Sequence, residues 1–286
     1  MGEYDQKTLR RLQLTLLDMV KDIDAVCREN DIKYYIAYGS ALGAIRHHGF
    51  IPWDDDMDIC VCREDYDRFF KCMEKKYSDK YDILNVKNTP KYAVAFYKIS
   101  KKGTKFVEMV GAADGYEQGI FIDVFPLDYT SSDEKERKRL AKKEWFWSHL
   151  LILRSIKEPI IPNSHKGIKR KIMEIGCKSI YEIMNLLHIS KEWIYGNFLK
   201  TATSYVKDKE YMTDYCAMRP EKVLNKTSDL FPVRYVEFED CKLPVPNNTD
   251  VYLKNMYGNY MELPKPEDRH NHFASEIDFG DYQVNS

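Results

Sequence analysis

The spacing of apolar residues predicts alternating helices and strands over the first 130 residues. Apolar side chains that recur every three or four positions indicate helices, and runs rich in aromatic and β-branched residues indicate strands. The predicted helices cover 9–27, 41–45 and 64–76, and the predicted strands cover 34–38, 57–61, 92–99, 105–110 and 119–125. The last strand is expected to stop at Pro126, because proline lacks a backbone N–H.

The remainder of the chain has a different pattern. Helical spacing dominates from 133 to about 205, most clearly over 133–157 and 167–187. From Phe231 onward, short strands and turns rich in Pro and Asn are expected. The sequence therefore predicts an α+β fold in three regions: a strand-rich core (1–130), a helical insertion (131–230) and a C-terminal segment (231–286) that packs back on the core.

Charge is balanced overall but not locally. The chain has 44 Lys and Arg against 45 Asp and Glu, which argues against a general nucleic-acid coat protein, and no nucleic-acid partner is expected. Residues 133–178 hold 13 Lys and Arg against six Asp and Glu, with Trp145, Phe146 and Trp147 among them. Two interpretations stay open: a solvated helix whose apolar face joins the core, or a peripheral contact with an anionic membrane.

Neither membrane spans nor export signals are visible in the sequence. No run reaches the roughly 18 to 20 apolar residues that a spanning helix requires, and the first residues lack an apolar signal core. The seven Cys form no C-x-x-C pair and suit reduced thiols. We expect a cytoplasmic protein, with docking at the inner face of the plasma membrane as an open alternative.

Four carboxylates fall within residues 54–58, at the entry to a predicted strand. Alternate strand residues share a face, so Asp54, Asp56 and Asp58 are expected to point together, with Asp55 opposed. Carboxylates this close repel one another, and a hard cation such as Mg²⁺ or Mn²⁺ relieves the repulsion. An acidic turn without metal and the Asp-x-Asp of a glycosyltransferase remain alternatives. An EF-hand is excluded because its required Gly would be Ile59.

The residues upstream favour phosphate chemistry. A strand, Gly39-Ser40, a helix and then a strand with Asp-x-Asp resemble the nucleotidyltransferase superfamily of the DNA polymerase β type. The resemblance implies that residues 1–130 form a nucleotidyltransferase-like catalytic core with a mixed sheet flanked by helices. In this core Gly39 and Ser40 are expected to hold the nucleotide phosphates. The resemblance also implies a third carboxylate from a later strand, and Asp123 within an apolar run matches it. The alternative role of Asp123 is to cap the following turn.

Longer blocks give a closer resemblance. The run 37–58 is similar to the signature of the LicD family, phosphotransferases related to fukutin-type enzymes. Residues 119–127 resemble the second block of that family, and 243–247, 257–260 and 264–272 resemble its C-terminal block. The resemblance spans about 9–273, although 131–230 is not diagnostic. One departure is Tyr38-Gly39-Ser40, where many members carry Gly-Gly-Thr; the hydroxyl is kept.

The LicD resemblance implies transfer of phosphocholine from CDP-choline to a sugar hydroxyl of a cell-surface glycan, such as a teichoic acid or lipopolysaccharide precursor. The distal phosphate is attacked and CMP leaves, and the acceptor is expected to be lipid-linked. Other CDP-activated alcohols (ribitol or glycerol) and nucleotidyl transfer to a small molecule or tRNA are the alternatives. A non-enzymatic binding module with a dead site is a third.

The resemblance and the local chemistry together nominate a set of site residues. Asp56, Asp58 and Asp123 are the expected catalytic metal ligands, Asp54 completes the shell, and Asp123 or a nearby carboxylate takes the acceptor proton. The expected phosphate contacts are Arg46, His47 and Lys98. Trp53 with neighbouring Tyr residues is a candidate cage for a quaternary ammonium group. His270 and His272 are weaker candidates for substrate binding.

Overall fold

A computed structural model describes residues 4–108, 116–158, 167–217, 220, 223–269 and 271–282. Helices and strands alternate at first, then several strands follow one another, and three long helices come next. The helices are α1 (Gln6–Glu29), α2 (Tyr38–His47), α3 (Arg63–Tyr77), α4 (Glu134–Ser155), α5 (Gly167–Leu186), α6 (Lys191–Ala202), α7 (Thr227–Leu230) and α8 (Thr249–Tyr257), with a 3₁₀ turn at Pro266–Asp268. The strands are β1 (Tyr34–Ile36), β2 (Asp58–Cys62), β3 (Tyr81–Leu84), β4 (Tyr97–Lys101), β5 (Lys105–Glu108), β6 (Phe121–Thr130), β7 (Tyr211–Thr213), β8 (Asn225–Lys226), β9 (Arg234–Phe238), β10 (Cys241–Val245) and β11 (Ala274–Asp278).

The main sheet is mixed and places β6 at its centre. Its strand order is β1-β2-β6-β4-β3. In addition, β7 pairs with β6, and β8 pairs with β7. The β2 and β6 strands are parallel, whereas β1, β4 and β7 pair antiparallel with their neighbours. Two further ladders, β9 with β10 and β5 with β11, lie off this sheet. The predicted α+β class with a mixed sheet is confirmed.

Side chains from the two faces of the sheet enter two cores. Ile59 and Val124 belong to the larger core, where the apolar stripe of α1 and the aromatic residues of α3 also pack. Cys60 and Leu127 face a smaller core shared with α2 and α8. Because successive strand residues point to opposite faces, Asp123, Phe125 and Leu127 share one face of β6. That side carries the acidic residues of the site.

The predicted stop at Pro126 is wrong, because β6 continues through the proline to Thr130. Asp123 donates its backbone N–H to the Met57 carbonyl of the β2 side, so by alternation the nitrogen of Pro126 faces the opposite edge. Along that edge, pairing with β4 ends at Val124 and pairing with β7 begins at Asp128. Proline therefore sits where no ladder hydrogen bond is required of it.

Other boundaries also differ from the predictions. The strand expected over 92–99 begins only at Tyr97, because Tyr92 instead anchors a loop by donating its hydroxyl to the Phe96 carbonyl. The strand expected over 105–110 is β5, and positions 109 and 110 lie outside the described residues. The turns expected after Phe231 include helix α8, whose buried Tyr252 and Leu253 pack in the smaller core.

The C-terminal segment contacts elements of the first 130 residues. Strand β10 lies beside β1, α8 packs on α2, and β11 pairs with β5. None of the seven cysteines, all within the described ranges, forms a disulfide. In the described part of the chain, no helix combines the length and the apolar character that crossing a bilayer requires.

Candidate functional site

The pairing of three strands brings together an acidic pair and a lysine. In the parallel β2–β6 register Asp58 lies opposite Asp123, and in the antiparallel β4–β6 register Lys98 lies opposite the same residue. Neighbouring strands are about 4.8 Å apart, so the two carboxylates necessarily lie close to each other. Residues distant in sequence thus meet at one point on the face of the sheet.

The segment before β2 adds two more carboxylates. Residues 54–57 precede the strand as an irregular stretch, because β2 begins only at Asp58. Asp54 lies beside the first turn of α2, where a Cβ on Gly39 would come within 3.0 Å of its Oδ2. Asp55 takes a separate, buried position and accepts the backbone N–H of His272 at 2.8 Å. Glycine at position 39 is therefore what allows Asp54 to approach the helix.

Burial and mutual repulsion make these carboxylates reluctant to ionise. Burial raises the pKa of Asp58 well above its ordinary value, and the charges of Asp56, Asp123 and Asp54 raise it further. Burial, followed by the charges of Asp56 and Asp55, also raises the pKa of Asp54. For Asp123, burial raises the pKa to about 6 although the Lys98 ammonium acts in the opposite direction. A bound cation would favour the ionised forms.

Asp123 retains unused acceptor capacity. Its Oδ1 is buried and makes no hydrogen bond, although the Lys98 Nζ lies 3.5 Å away. Oxygen donors of this kind suit Mg²⁺ or Mn²⁺. Within the described ranges, however, no three His, Cys, Asp or Glu side chains converge as a complete set of metal ligands. The donor chemistry fits a divalent cation, and the identity and presence of the metal remain a proposal.

Gly39 and Ser40 open helix α2 directly above the acidic pair. The Ser40 Oγ accepts the backbone N–H of Asp58 at 3.0 Å, so this buried hydroxyl fixes the start of β2. Tyr38, the residue before Gly39, has a left-handed backbone (φ 49°), and its N–H is donated to the Tyr252 hydroxyl at 3.1 Å. The hydrogen bond from another segment stabilises this strained backbone conformation. Such strained residues are common at functional sites.

Arg46 holds the wall of a neighbouring cavity together. Its Nη1 donates to the Tyr260 carbonyl at 2.8 Å, and its Nε donates to the His47 Nε2 at 3.0 Å. Burial lowers the pKa of both Arg46 and His47. The cavity has a volume of about 660 Å³ and is lined by Gly39, Leu42, Arg46, Ile51, Trp53, Asp54, Tyr257, Asn259, Tyr260, Glu262, Leu263, Pro264, Lys265 and Asp268. Its volume lies in the usual range for small-molecule sites.

Trp53 and Lys98 both have partners within the protein. The Arg269 guanidinium lies over the Trp53 indole at 4.4 Å from the ring centroid. The Lys98 Nζ donates to Glu108 Oε2 at 3.1 Å. Burial alone would lower the pKa of Lys98, but Asp123 and Glu108 outweigh it and raise that pKa. Lys98 therefore stays charged beside the acidic pair.

His272 joins the site from the C-terminal segment. Its Nδ1 lies 2.9 Å from Asp56 Oδ2 and 3.6 Å from Asp55 Oδ1. Hydrogen bonds to Asp55 and Asp56 raise the pKa of His272 to about 11, so the imidazolium persists at neutral pH. His272, Asp56 and Asp123 all line a small cavity of about 40 Å³. His270, the other predicted histidine, lies outside the described residues.

The structure thus groups the predicted residues in two places and adds others. Asp54, Asp56, Asp58, Asp123, Lys98 and His272 surround the acidic centre, whereas Arg46, His47 and Trp53 lie along the larger cavity. Sequence reasoning missed Glu108, which pairs with Lys98, and Asp214, which accepts the Tyr38 hydroxyl at 2.6 Å. Both lie outside the recognised motifs, and only the fold brings them near the site.

Comparison with known proteins agrees with this arrangement. Residues 31–151, which contain α2, β2, β4 and β6, match the family described as LicD/FKTN/FKRP, nucleotidyltransferase domain. The lipopolysaccharide cholinephosphotransferase LicD of Haemophilus influenzae is 28% identical over 279 residues, which cover 94% of this chain and 97% of that protein.

Two rickettsial proteins share shorter stretches. An uncharacterised protein of Rickettsia prowazekii, RP689, is 30% identical over 125 residues, which cover 40% of this chain and 45% of its own. A second uncharacterised protein, RT0683 of Rickettsia typhi, is 48% identical over 52 residues, 18% of this chain and 17% of its own. Neither name carries a function, so these matches add no information about activity.

Proposed function

Because the chain belongs to the LicD family, we propose that it transfers phosphocholine from CDP-choline to a sugar hydroxyl of a cell-surface glycan. The observation that carries the proposal is the register of β2 and β6, which sets Asp58 opposite Asp123 beneath Gly39 and Ser40. Similarity along nearly the whole chain to a protein named as a lipopolysaccharide cholinephosphotransferase supports it. A lipopolysaccharide or teichoic acid precursor is the proposed acceptor.

In the proposed reaction, a sugar hydroxyl oxygen attacks the choline-bearing phosphorus. A new P–O bond forms to the sugar, the bond from that phosphorus to the bridging oxygen of the diphosphate breaks, and CMP leaves with the bonding electrons. The hydroxyl proton passes to a carboxylate, for which Asp123 is placed, since its Oδ1 is free of hydrogen bonds. Lys98, held charged by Asp123 and Glu108, offsets negative charge on the phosphates.

A divalent cation is part of the proposal. Asp54, Asp56, Asp58 and Asp123 would hold Mg²⁺ or Mn²⁺, which when bound supplies charge neutralisation for the diphosphate. The support is the crowding of these carboxylates, whose raised pKa values reflect burial and mutual repulsion. His272 positions Asp56 by its contact at 2.9 Å and compensates part of the negative charge.

The cavity beside Arg46 suits the nucleoside end of the donor. It borders Asp54 at the acidic centre, and it offers donors and acceptors from Arg46, Asn259 and Glu262. A pyrimidine and a ribose need hydrogen-bonding partners of both kinds. We therefore place the cytidine in this cavity and the diphosphate between it and Asp123.

Replacing Asp56 or Asp58 by Asn tests the metal assignment. Each variant is expected to lower metal-dependent release of CMP from CDP-choline by at least about 100-fold, because a neutral amide is a poor ligand for Mg²⁺. Mn²⁺ alone should raise the melting temperature of the wild-type protein but not that of the variants. The control is Asp67→Asn on the exposed face of α3. Full turnover in both variants would contradict the assignment.

Product mass separates the proposal from its alternatives. With CDP-choline, CDP-ribitol, CDP-glycerol and CTP offered in parallel, the acceptor should gain the mass of phosphocholine. A gain of ribitol phosphate or glycerol phosphate would identify another CDP-alcohol as the donor. A gain of a nucleotide would instead identify nucleotidyl transfer.

We also propose that the protein meets a lipid-linked acceptor at an anionic membrane surface, at the inner face of the plasma membrane. Support comes from a groove of about 890 Å³ between α4 and α6. Its basic lining residues are Lys135, Lys138, Arg139, Lys142, Lys143 and Lys200, and Phe146 and Trp147 lie among them. Basic residues interleaved with aromatic rings suit anionic head groups.

Helix α5 supports the same proposal with an exposed apolar face. Successive helical residues turn by about 100°, so Ile168, Ile172 and Ile175 lie on one face. Ile168 and Leu186, at opposite ends of the helix, are each 78% exposed. The stripe runs along about 30 Å of helix. A stable dimer interface requires about 800 Å² per partner and close shape complementarity. A lipid surface requires no such area or shape match.

A further inference from the structure

Three aromatic rings continue the face of the sheet that carries the acidic pair. Phe125 follows Asp123 by two residues on β6, so the two side chains share a face about 7 Å apart along the strand. The Phe96 ring lies 4.4 Å from the Phe125 ring, and the Tyr38 ring packs edge-on against Phe125 at 5.2 Å. All three are half-buried, so part of each ring remains accessible. We call Tyr38, Phe96 and Phe125 the aromatic wall.

A buried carboxylate lies behind this wall. Asp214 is fully buried, and it accepts the Tyr38 hydroxyl at 2.6 Å and the Cys216 N–H at 2.7 Å. Among the residues that the structure describes, no Lys, Arg or His forms an ion pair with it. Burial raises the pKa of Asp214 to about 6, whereas the hydrogen bonds from the Tyr38 hydroxyl and the Cys216 N–H favour its ionised form. The wall therefore has negative ring faces and a negative charge behind them.

The two sides of the acidic centre thus differ in chemistry. The cavity beside Trp53 presents hydrogen-bonding groups, and the Trp53 ring already has the Arg269 guanidinium over it. The aromatic wall presents ring surface, and the Tyr38 hydroxyl is engaged by Asp214. A polyol would leave its hydroxyls without hydrogen-bond partners against such a surface, which is unfavourable.

Building on the proposed function, we propose that the aromatic wall binds the trimethylammonium group of CDP-choline and selects choline over ribitol and glycerol. A quaternary ammonium has no N–H and needs no hydrogen-bond acceptor, and aromatic faces attract it by cation–π interaction. In choline, only two carbons separate the ammonium group from the phosphate oxygen. Phe125 is similarly close to Asp123, so a phosphate held at the acidic pair would leave the ammonium group near the Phe125 ring. The donor then lies with its nucleoside toward Arg46 and its choline toward Phe125.

The test compares CDP-choline with a neutral donor of the same shape, in which a tert-butyl group replaces the trimethylammonium. Dissociation constants and kcat/KM are measured for both donors with Mg²⁺. The wild-type protein should prefer the charged donor by about 2- to 30-fold, as cation–π energies imply. Phe125→Leu and Phe96→Leu should each bring this ratio toward one, mainly through KM.

A matched control separates recognition from packing. Phe70→Leu removes the same ring volume on the opposite face of the sheet, where Phe70 packs on Tyr97 at 4.7 Å. It should lower the melting temperature and keep the wild-type ratio. Tyr38→Phe keeps the ring and loses the contact with Asp214, so it should retain a reduced preference.

The outcomes distinguish this inference from the proposed function. Equal use of both donors by the wild-type protein would overturn the aromatic wall and leave phosphocholine transfer standing. An unchanged preference for the charged donor in both Leu variants would also overturn the aromatic wall and leave phosphocholine transfer standing. Failure of the wild-type protein to bind or turn over either donor, with binding of CDP-ribitol or CTP instead, would overturn both.

Discussion

Two aspartates of β6 show how neighbours decide the role of a carboxylate. Asp128 is fully paired, since Arg63 donates to both of its oxygens at 2.7 and 2.8 Å. Asp123, five residues earlier, has only a lysine at 3.5 Å and an oxygen without a hydrogen bond. A saturated carboxylate holds structure together, whereas an unsaturated one retains capacity for a metal or a proton. The alternation of strand residues also places the two on opposite faces of the sheet.

Glu144 is a buried carboxylic acid that reduces the stability of the folded protein at neutral pH. Its side chain on α4 is 0% exposed, and neither carboxylate oxygen has a hydrogen-bond partner. Burial raises its pKa to about 9, and the charge of Asp128 acts in the same direction. The folded state therefore keeps the proton, whereas the unfolded chain releases it near its ordinary value.

Glu144→Gln should stabilise the protein at neutral and alkaline pH. The contribution of Glu144 to stability is fully present below about pH 4.5 and is lost as pH rises toward about 9, since the unfolded state ionises first. The variant should gain roughly 1–3 kcal/mol at pH 7 and nothing near pH 4. Urea unfolding across this pH range measures it. Glu134→Gln, an exposed glutamate on the same helix, is the control, and an equal gain there would contradict the explanation.

At the scale of elements, α2 is held against the loop that leads into the acidic segment. The Gly43 Cα approaches the loop so closely that an added Cβ would lie 2.5 Å from the Gly49 carbonyl oxygen. Ile51, in the same loop, accepts the N–H of Asp54. The placement of Asp54 therefore depends on a backbone contact between two elements.

Gly43→Ala should destabilise the protein by about 1–3 kcal/mol and weaken donor binding, because backbone atoms must move to admit the methyl group. Gly176→Ala is the matched control, since nothing lies within 4 Å of its added Cβ in α5. That change should stabilise by about 0.5–1 kcal/mol through helix propensity. Urea midpoints and calorimetric titration with CDP-choline check both, and equal effects at the two glycines would contradict the contact.

Some elements could be predicted from local sequence signals, and others could not. Helix α1 and strand β2 were predictable because periodicity and the Asp-x-Asp motif are local signals. The passage of β6 through Pro126 was not, since it depends on where β4 ends and β7 begins. Asp214 and Glu108 escaped for the same reason: their partners Tyr38 and Lys98 are supplied by other segments.

At the scale of the whole molecule, opposite charges are concentrated in different segments of the chain. A nearly neutral chain combines a buried acidic centre with a basic helical segment over 133–178. Helix α5 adds an apolar face to that segment. The proposed function would use both regions, the acidic centre for the metal and the donor and the basic segment for an acceptor at a lipid surface.

Ile172→Glu combined with Ile175→Glu should reduce cosedimentation with phosphatidylglycerol vesicles at least about tenfold, because charges replace the inserted side chains. Raising salt from about 0.05 M to about 0.5 M should weaken binding of the wild-type protein as well. Val206→Glu, at an exposed apolar residue after α6, is the control. Unchanged vesicle binding, or a dimer that only the double variant disrupts, would contradict membrane docking.

The register that sets Asp58 opposite Asp123 also has a consequence for folding. The two acids lie in different segments and meet only when β2 pairs with β6 across the intervening α3, β3, β4 and β5. Contacts between remote segments form late, because loop closure precedes any gain from them. The four-aspartate run alone resembles a weak, flexible chelator. For the proposed metal, selective affinity should therefore appear only with the assembled sheet. A partly folded chain would then lack the centre that the proposed reaction requires, and would not cleave the donor without transferring its phosphocholine.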